Sequence, residues 1–294
     1  MKEWGSLLTA VITPFQEDLS IDYQSFRQIL NFLMLNGSDG VVVSGTTGES
    51  PTLTHEEKLR LFEVALEEVG DRGAVIAGTC SYNTQDSVKL SKEAEKLGVH
   101  GILAVAPYYN KPPQEGLYQH FKAIAEAVDI PIMLYNIPSR TGININPETV
   151  ARLAEIPNIV AIKEASGSVD QLSCVQRMTP QDFAIYSGDD NMTLTVLAHG
   201  GKGVVSVAAH LVGKRIKEMI DSFKKGEVDE AVKIHLELYP LFKGIFITTN
   251  PIPVKYALSL AGKSGEWVRP PLCTMSDEQK KKLKSILEEL GCLA

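Results

Sequence analysis

Residues 131–165, PIMLYNIPSRTGININPETVARLAEIPNIVAIKEA, decide the fold. Pro131 to Asn136 is a short, near-continuous apolar run, and Val160 to Ala165 is another. Runs of this kind, without polar alternation, read as parallel strands buried on both faces. Between them Pro147 to Ala154 opens as a helix should, with Asn146 at the N-cap position and Pro147 at the first helical position. Strand, helix and strand make one β/α/β step of a parallel sheet.

The same step recurs in both directions. Leu7 to Thr13, Gly40 to Ser44, Ala74 to Thr79 and Gly101 to Ala106 precede it, and Phe183 to Ser187 and Gly203 to Val207 follow. Amphipathic stretches lie between, such as Thr54 to Val69, with Leu59, Phe62, Val64, Leu66 and Val69 among charged residues, then Asp86 to Leu97 and Glu115 to Val128. Eight alternating units specify an α/β fold, the (β/α)8 TIM barrel. An open doubly wound sheet is the main competitor, but its dinucleotide-binding G-x-G-x-x-G after the first strand is absent. Beyond the eighth unit, Glu227 to Phe242, Ile252 to Leu260 and Ser276 to Leu290 are helical in period or propensity, and Ser276 with Gln279 matches a capping box. Breaks fall at Thr249-Asn250-Pro251-Ile252-Pro253 and Arg269-Pro270-Pro271. The expected organisation is a barrel over residues 1–225 that carries the active site, followed by a C-terminal helical domain over 226–294.

The chain of 294 residues is 44% hydrophobic and 22% charged, which supplies a large core without staples. A net charge of −7, with no Lys/Arg-rich block, leaves no basic footprint for nucleic acid. The N-terminal residues show neither a signal peptide's apolar core nor a span of about 18 apolar residues, so the expectation is a soluble, cytoplasmic protein. Cys80, Cys174, Cys273 and Cys292 are too widely spaced for C-x-x-C, and the six histidines form no H-E-x-x-H pair. Free thiols and no metal site are expected.

Barrel enzymes build their sites at the C-terminal ends of the strands. There the second run leads into Ser44-Gly45-Thr46-Thr47-Gly48-Glu49, the fifth ends in Tyr135-Asn136, the sixth in Lys163-Glu164 and the seventh in Ser187-Gly188-Asp189-Asp190. Lys163 follows Val160-Ala161-Ile162, where desolvation disfavours an ammonium; a neutral amine there is a nucleophile towards a ketone. The alternative is an ion pair with Glu164 or another barrel carboxylate. The glycine-flanked turn at Thr46-Thr47 either holds a small anion on its amides and hydroxyls or is a plain turn, with Glu49 favouring a nearby helix N-terminus. Tyr135 either relays a proton or packs, and Arg140 either grips a carboxylate or is an ordinary surface arginine.

Taken together, Gly45-Thr46-Thr47-Gly48-Glu49, Tyr135-Asn136-Ile137-Pro138-Ser139-Arg140-Thr141-Gly142 and Lys163-Glu164-Ala165-Ser166-Gly167 resemble the pyruvate-dependent class I aldolases. More narrowly, the chain from about Gly5 to its C-terminal helices is similar to the dihydrodipicolinate synthases. The resemblance implies a lyase that needs no cofactor. Lys163 forms a Schiff base with pyruvate, and the enamine adds to L-aspartate 4-semialdehyde before cyclisation, the committing step of the diaminopimelate route to lysine. It also implies a proton relay of Thr47, Tyr135 and Tyr109, a pyruvate carboxylate held by Thr46 and Thr47, and a pocket lined by Gly188 and Val205. Arg140 takes the semialdehyde's carboxylate. Tyr109 reaches into a neighbouring subunit, which implies a homotetramer of two tight dimers.

The effector site of lysine-inhibited relatives falls on Ser50, His55, Lys58, Tyr82, Asp86 and Tyr108. Here Tyr82 replaces a typical Asn, Asp86 a longer Glu and Lys58 a typical His, which adds a cation where a dibasic amino acid binds. Weak or absent lysine feedback is therefore expected. The rival readings are a 2-keto-3-deoxy sugar acid aldolase or N-acetylneuraminate lyase on the same scaffold, or a non-catalytic binding barrel.

Overall fold

The computed structural model describes residues 4–293. Each apolar run becomes a strand: β1 (Leu7–Ala10), β2 (Gly40–Val43), β3 (Ala74–Gly78), β4 (Gly101–Val105), β5 (Ile132–Asn136), β6 (Ile159–Glu164), β7 (Ala184–Ser187) and β8 (Gly203–Ser206). They pair in parallel in chain order, and β8 pairs with β1 to close the barrel. The helices are α1 (Tyr23–Leu35), α2 (His55–Val69), α3 (Thr84–Leu97), α4 (Gln114–Ala125), α5 (Pro138–Thr141), α6 (Pro147–Ala154), α7 (Val169–Met178), α8 (Thr193–Ala198) and α9 (Ala209–Lys224). Beyond them come α10 (Val228–Gly244), α11 (Ile252–Leu260) and α12 (Asp277–Glu289). None of the described helices is long and apolar enough to cross a membrane.

Side chains of a strand alternate between faces, and this sorts the core into layers. Leu8, Val42, Ile76, Leu103, Met133, Tyr135, Ala161, Ala165, Tyr186 and Val205 cluster inside the barrel. The opposite faces of β4 to β7 contribute Ile102, Leu134, Ile162 and Ile185, which pack under α4, α6 and α7 through Phe121, Leu153 and Val175. A third cluster joins Val41, Val43 and Val75 to α1, α2 and α9, and continues into Leu241 and Phe242 of α10, Val254 of α11 and Leu283 of α12. The C-terminal helices therefore share a core with the barrel.

Closure leaves no room for a side chain at Gly203, where an added Cβ would stand 1.8 Å from the Ser6 carbonyl. Ser276 and Gln279 form the capping box of α12. Asn146 does stand at the N-cap of α6, but its side chain caps nothing. Its backbone N–H instead donates to Gln114 Oε1 at 3.0 Å, the atom that also accepts from the Thr149 hydroxyl. A side chain from α4 thus holds the start of α6 without capping its first-turn N–H groups.

His210, wholly buried, ties the end of β1 to α9. Its Nε2 accepts from the Ile12 N–H at 3.3 Å and its Nδ1 lies 2.9 Å from the Val207 carbonyl. That pair of partners demands a neutral ring with the proton on Nδ1. Burial pushes the imidazole down to about 4 from 6.5. As pH falls the unfolded chain takes up this proton first, so the contribution, up to about 3 kcal/mol, is present above 6.5 and lost towards 4. Urea unfolding is expected to show the midpoint falling across this window, and falling less in His210→Asn.

Candidate active site

Beyond β2 the chain makes a turn with Ser44 and Glu49 in the left-handed region, at φ 58° and 54°. Such residues cost about 1–3 kcal/mol each and persist only where surrounding contacts impose them. Here Glu49 N–H donates to the Thr46 carbonyl at 3.1 Å, Ser50 N–H to that of Gly45 at 3.2 Å, and the Thr13 hydroxyl to that of Gly48 at 2.7 Å. The N–H groups of Thr46 and Thr47 donate to no described residue. Two adjacent free amides on a rigid turn are a receptor for an anion.

Glu49 precedes a single 3-10 turn over Ser50–Thr52, which its side chain does not cap, and it is not at the N-terminus of α2. That place in α2 is held by Thr54 and Glu57 in a capping box. Glu49, 2% exposed, turns inward to the fully buried Lys255 of α11, and its other oxygen accepts the Arg269 N–H at 3.0 Å.

Lys163 is 5% exposed, pairs in register with Tyr135 on one side and Tyr186 on the other, and shares the inward face of β6 with Ala161 and Ala165. Its Nζ lies 4.3 Å from the centroid of the Tyr135 ring. Among the described residues no carboxylate comes within 4.0 Å of it. Glu164 faces the other way, accepting from Asn136 Nδ2 at 3.0 Å and from the Ser166 N–H at 2.7 Å. Asp190 is fully engaged by the Ser206 hydroxyl and by the N–H groups of Val207 and Ala208. Burial raises the Asp189 and Asp190 carboxyls, and the charge of Lys163 opposes the rise in both. Among the described residues, then, Lys163 has neighbouring carboxyls but none at ion-pair distance.

Thr46, Tyr135 and Arg140 line one cleft, together with Ser44, Leu103 and Ile137. Thr47, Lys163 and Val205 lie buried and do not line it. An added Cβ at Gly188 would come 2.5 Å from Ala165 Cβ and 3.1 Å from Lys163 Cε, so Gly188 makes the space the lysine occupies. Arg140 sits in α5 and has no carboxylate within 4.0 Å among the described residues. Among the described residues its guanidinium makes one hydrogen bond, from Nη2 to the Asn250 carbonyl at 3.3 Å.

The remaining residues are more scattered. Tyr109 is 91% exposed at φ 71° and has no partner among the described residues. Ser50 and Tyr108 line the same cleft as Arg140, and Tyr108 meets Tyr82 edge-on with ring centroids 5.3 Å apart. His55 pairs with Glu93. Lys58 has no carboxylate within 4.0 Å among the described residues, and burial lowers its basicity. Asp86 lies in the first turn of α3.

Residues 3–290 match the model of the Dihydrodipicolinate synthetase family. The chain belongs to this family. It is 56% identical to the 4-hydroxy-tetrahydrodipicolinate synthase of Heliobacterium modesticaldum, over 98% of this chain and 96% of that one. It is 54% identical to that of Desulforamulus reducens, over 99% of each. A crystal structure of DHDPS from Cyanidioschyzon merolae with lysine bound superposes with a TM-score of 0.97 at 46% identity, covering 99% of both chains.

Sequence reasoning treated Asn250 as part of a proline-punctuated break. Its Nδ2 donates to Thr47 Oγ1 at 2.9 Å while its carbonyl accepts from Arg140. A lone asparagine about 200 residues from the turn it touches carries no local signal of that contact. The tight fit at Gly188 is directly testable. Gly188→Ala is expected to cost about 1–3 kcal/mol in urea unfolding, the usual range for overpacking, and an unchanged midpoint would contradict the contact with Ala165.

Proposed function

We propose that the cleft is the site of a Schiff-base lyase that condenses pyruvate with L-aspartate 4-semialdehyde to 4-hydroxy-tetrahydrodipicolinate, the first committed step of lysine biosynthesis through diaminopimelate. One observation carries the reading. A buried lysine with no carboxylate within 4.0 Å among the described residues stands beside Tyr135, which lines one cleft with Thr46 and with Arg140, a guanidinium that has no carboxylate partner. Membership of the family supports it.

The chemistry follows from those groups. Pyruvate's carboxylate binds at the Thr46 and Thr47 amides, and the Lys163 amine attacks its keto carbon to give a carbinolamine. Loss of water forms the imine, with protons moved through Tyr135 and Thr47. The positive imine nitrogen acidifies the neighbouring methyl group, and proton loss gives an enamine. Its carbon attacks the aldehyde of the semialdehyde, whose own carboxylate is held by Arg140 through a charge-assisted pair. The semialdehyde's amino group then displaces Lys163 from the imine carbon and closes the ring. The covalent link to Lys163 is the electron sink, so no cofactor takes part. Gly188 and Val205 shape the space around the lysine.

In this reading the barrel over residues 1–225 carries the site, the helical region over 226–294 is appended to it, and the enzyme is cytoplasmic. Tyr109 completes the relay in a neighbouring subunit of a homotetramer built from two tight dimers. Its exposure, its strained φ and its lack of a partner in its own chain support that role.

Borohydride reduction in the presence of pyruvate is expected to leave a mass adduct on Lys163. In Arg140→Ala that trapping should persist while turnover with the semialdehyde falls about a hundredfold or more, as loss of a charge-assisted pair implies. Equal loss of both would remove the role given to Arg140, and no adduct in the unsubstituted protein would remove the reaction.

Ser50, His55, Lys58, Tyr82, Asp86 and Tyr108 are proposed as the counterpart of a lysine effector site. Lys58, lacking a carboxylate partner, repels the ε-ammonium of a lysine ligand there. Feedback by lysine is accordingly weak or absent. Titrating lysine into the assay checks this, and half-inhibition at submillimolar lysine would overturn it.

A further inference from the structure

The part of the chain that the sequence assigns to an appendage grips the catalytic turn at two points. The first is Asn250, which is 5% exposed and donates from Nδ2 to the buried Thr47 hydroxyl oxygen at 2.9 Å. The second is Lys255 of α11, fully buried, which pairs with Glu49 and donates to the Trp267 carbonyl at 2.8 Å. The Lys255 ammonium also lies 4.1 Å from the Phe15 ring centroid. Arg269 reinforces this end, holding Glu49 through its backbone N–H and clamping Glu57 with its two terminal guanidinium nitrogens. Thr47 and Glu49, two residues apart, are thus each tied to the segment between Asn250 and Lys255.

A threonine hydroxyl has one proton and two lone pairs. With one lone pair taken by Asn250 Nδ2, and with no described residue accepting its proton, Thr47 is left as a donor towards the reacting groups. At the same time the Asn250 carbonyl accepts from Arg140 Nη2 at 3.3 Å, the only hydrogen bond that guanidinium makes with a described residue. The Asn250 Oδ1 is buried and has no protein partner.

We propose that Asn250 is a positioning residue for both substrates: its side-chain amide sets the direction of the Thr47 hydroxyl proton, and its backbone carbonyl aims Arg140. The inference rests on the Schiff-base reading above, since Thr47 and Arg140 are the groups it orients. It gives the C-terminal helices a catalytic reason to share a core with the barrel. The Lys255–Glu49 pair is the fixed point from which Asn250 acts.

The test uses the full-length enzyme and two substitutions. Asn250→Asp has the same shape but presents only acceptors to Thr47, so the hydroxyl proton turns towards the aspartate. Asn250→Ala removes the contact. Both are expected to lower kcat by about tenfold to a hundredfold, the scale on which small misplacements act, with thermal midpoints within a few degrees of the unsubstituted enzyme. Borohydride with pyruvate should still trap Lys163 in both, at a reduced rate. KM for the semialdehyde should change less than kcat, because the backbone carbonyl that meets Arg140 survives both substitutions. If Asn250→Asp turns over within twofold of the unsubstituted enzyme, donation to Thr47 is unnecessary and the proposal falls. It also falls if kcat drops only in proportion to a loss of folded protein. Absence of the pyruvate adduct in the unsubstituted enzyme would instead overturn the reaction itself, and the positioning role with it.

Discussion

Lys163 stands unpaired among the described residues: Glu164 and Asp190 are engaged elsewhere, and Asp189, whose carboxyl feels the lysine's charge, comes no closer than 4.0 Å. Glu164, next in the chain, points to the other face of β6, where Asn136 and Ser166 bind it. Asp190, on the neighbouring strand's loop, is saturated by Ser206 and two backbone amides. A buried lysine beside a free carboxylate would settle into an ion pair, and an amine so paired is a poor nucleophile. On the proposed reading, the reactivity of the site depends on hydrogen bonds that Lys163 does not make. Gly188 completes the arrangement, since any side chain there would occupy the lysine's own space.

The proposed binding groups follow the same logic of vacancy. The amides of Thr46 and Thr47 and the guanidinium of Arg140 have no anionic partner among the described residues. Each is held rigidly by contacts that leave its binding edge open: the strained turn in one case, α5 and the Asn250 carbonyl in the other. Preorganised donors of this kind need no rearrangement when charge arrives. The cost is met at a distance, in the buried Glu49–Lys255 pair and the Arg269–Glu57 clamp that fix the turn to the C-terminal helices. Removing one partner of a buried pair leaves an uncompensated charge, so these ties hold as a unit.

Sequence alone determined the architecture and most of the chemical inventory. Eight unbroken apolar runs separated by amphipathic stretches admit little besides a closed parallel barrel, because the pattern is a property of each segment by itself. The site's location follows too: polar residues at the ends of otherwise apolar runs mark the C-terminal face. Lys163, Tyr135, Thr46, Thr47 and Arg140 were visible on that ground. The tertiary structure decided what each polar group is paired with, because partners lie on different strands or far along the chain. It turned Glu49 from a helix-end charge into the buried partner of Lys255, left the Asn146 side chain without a capping role while Gln114 holds its N–H, and brought Asn250 from a proline break onto Thr47 and Arg140. It also left Lys163 with no carboxylate at ion-pair distance among the described residues. Periodicity records which face of a segment is buried; which groups meet inside is written only in how the segments pack.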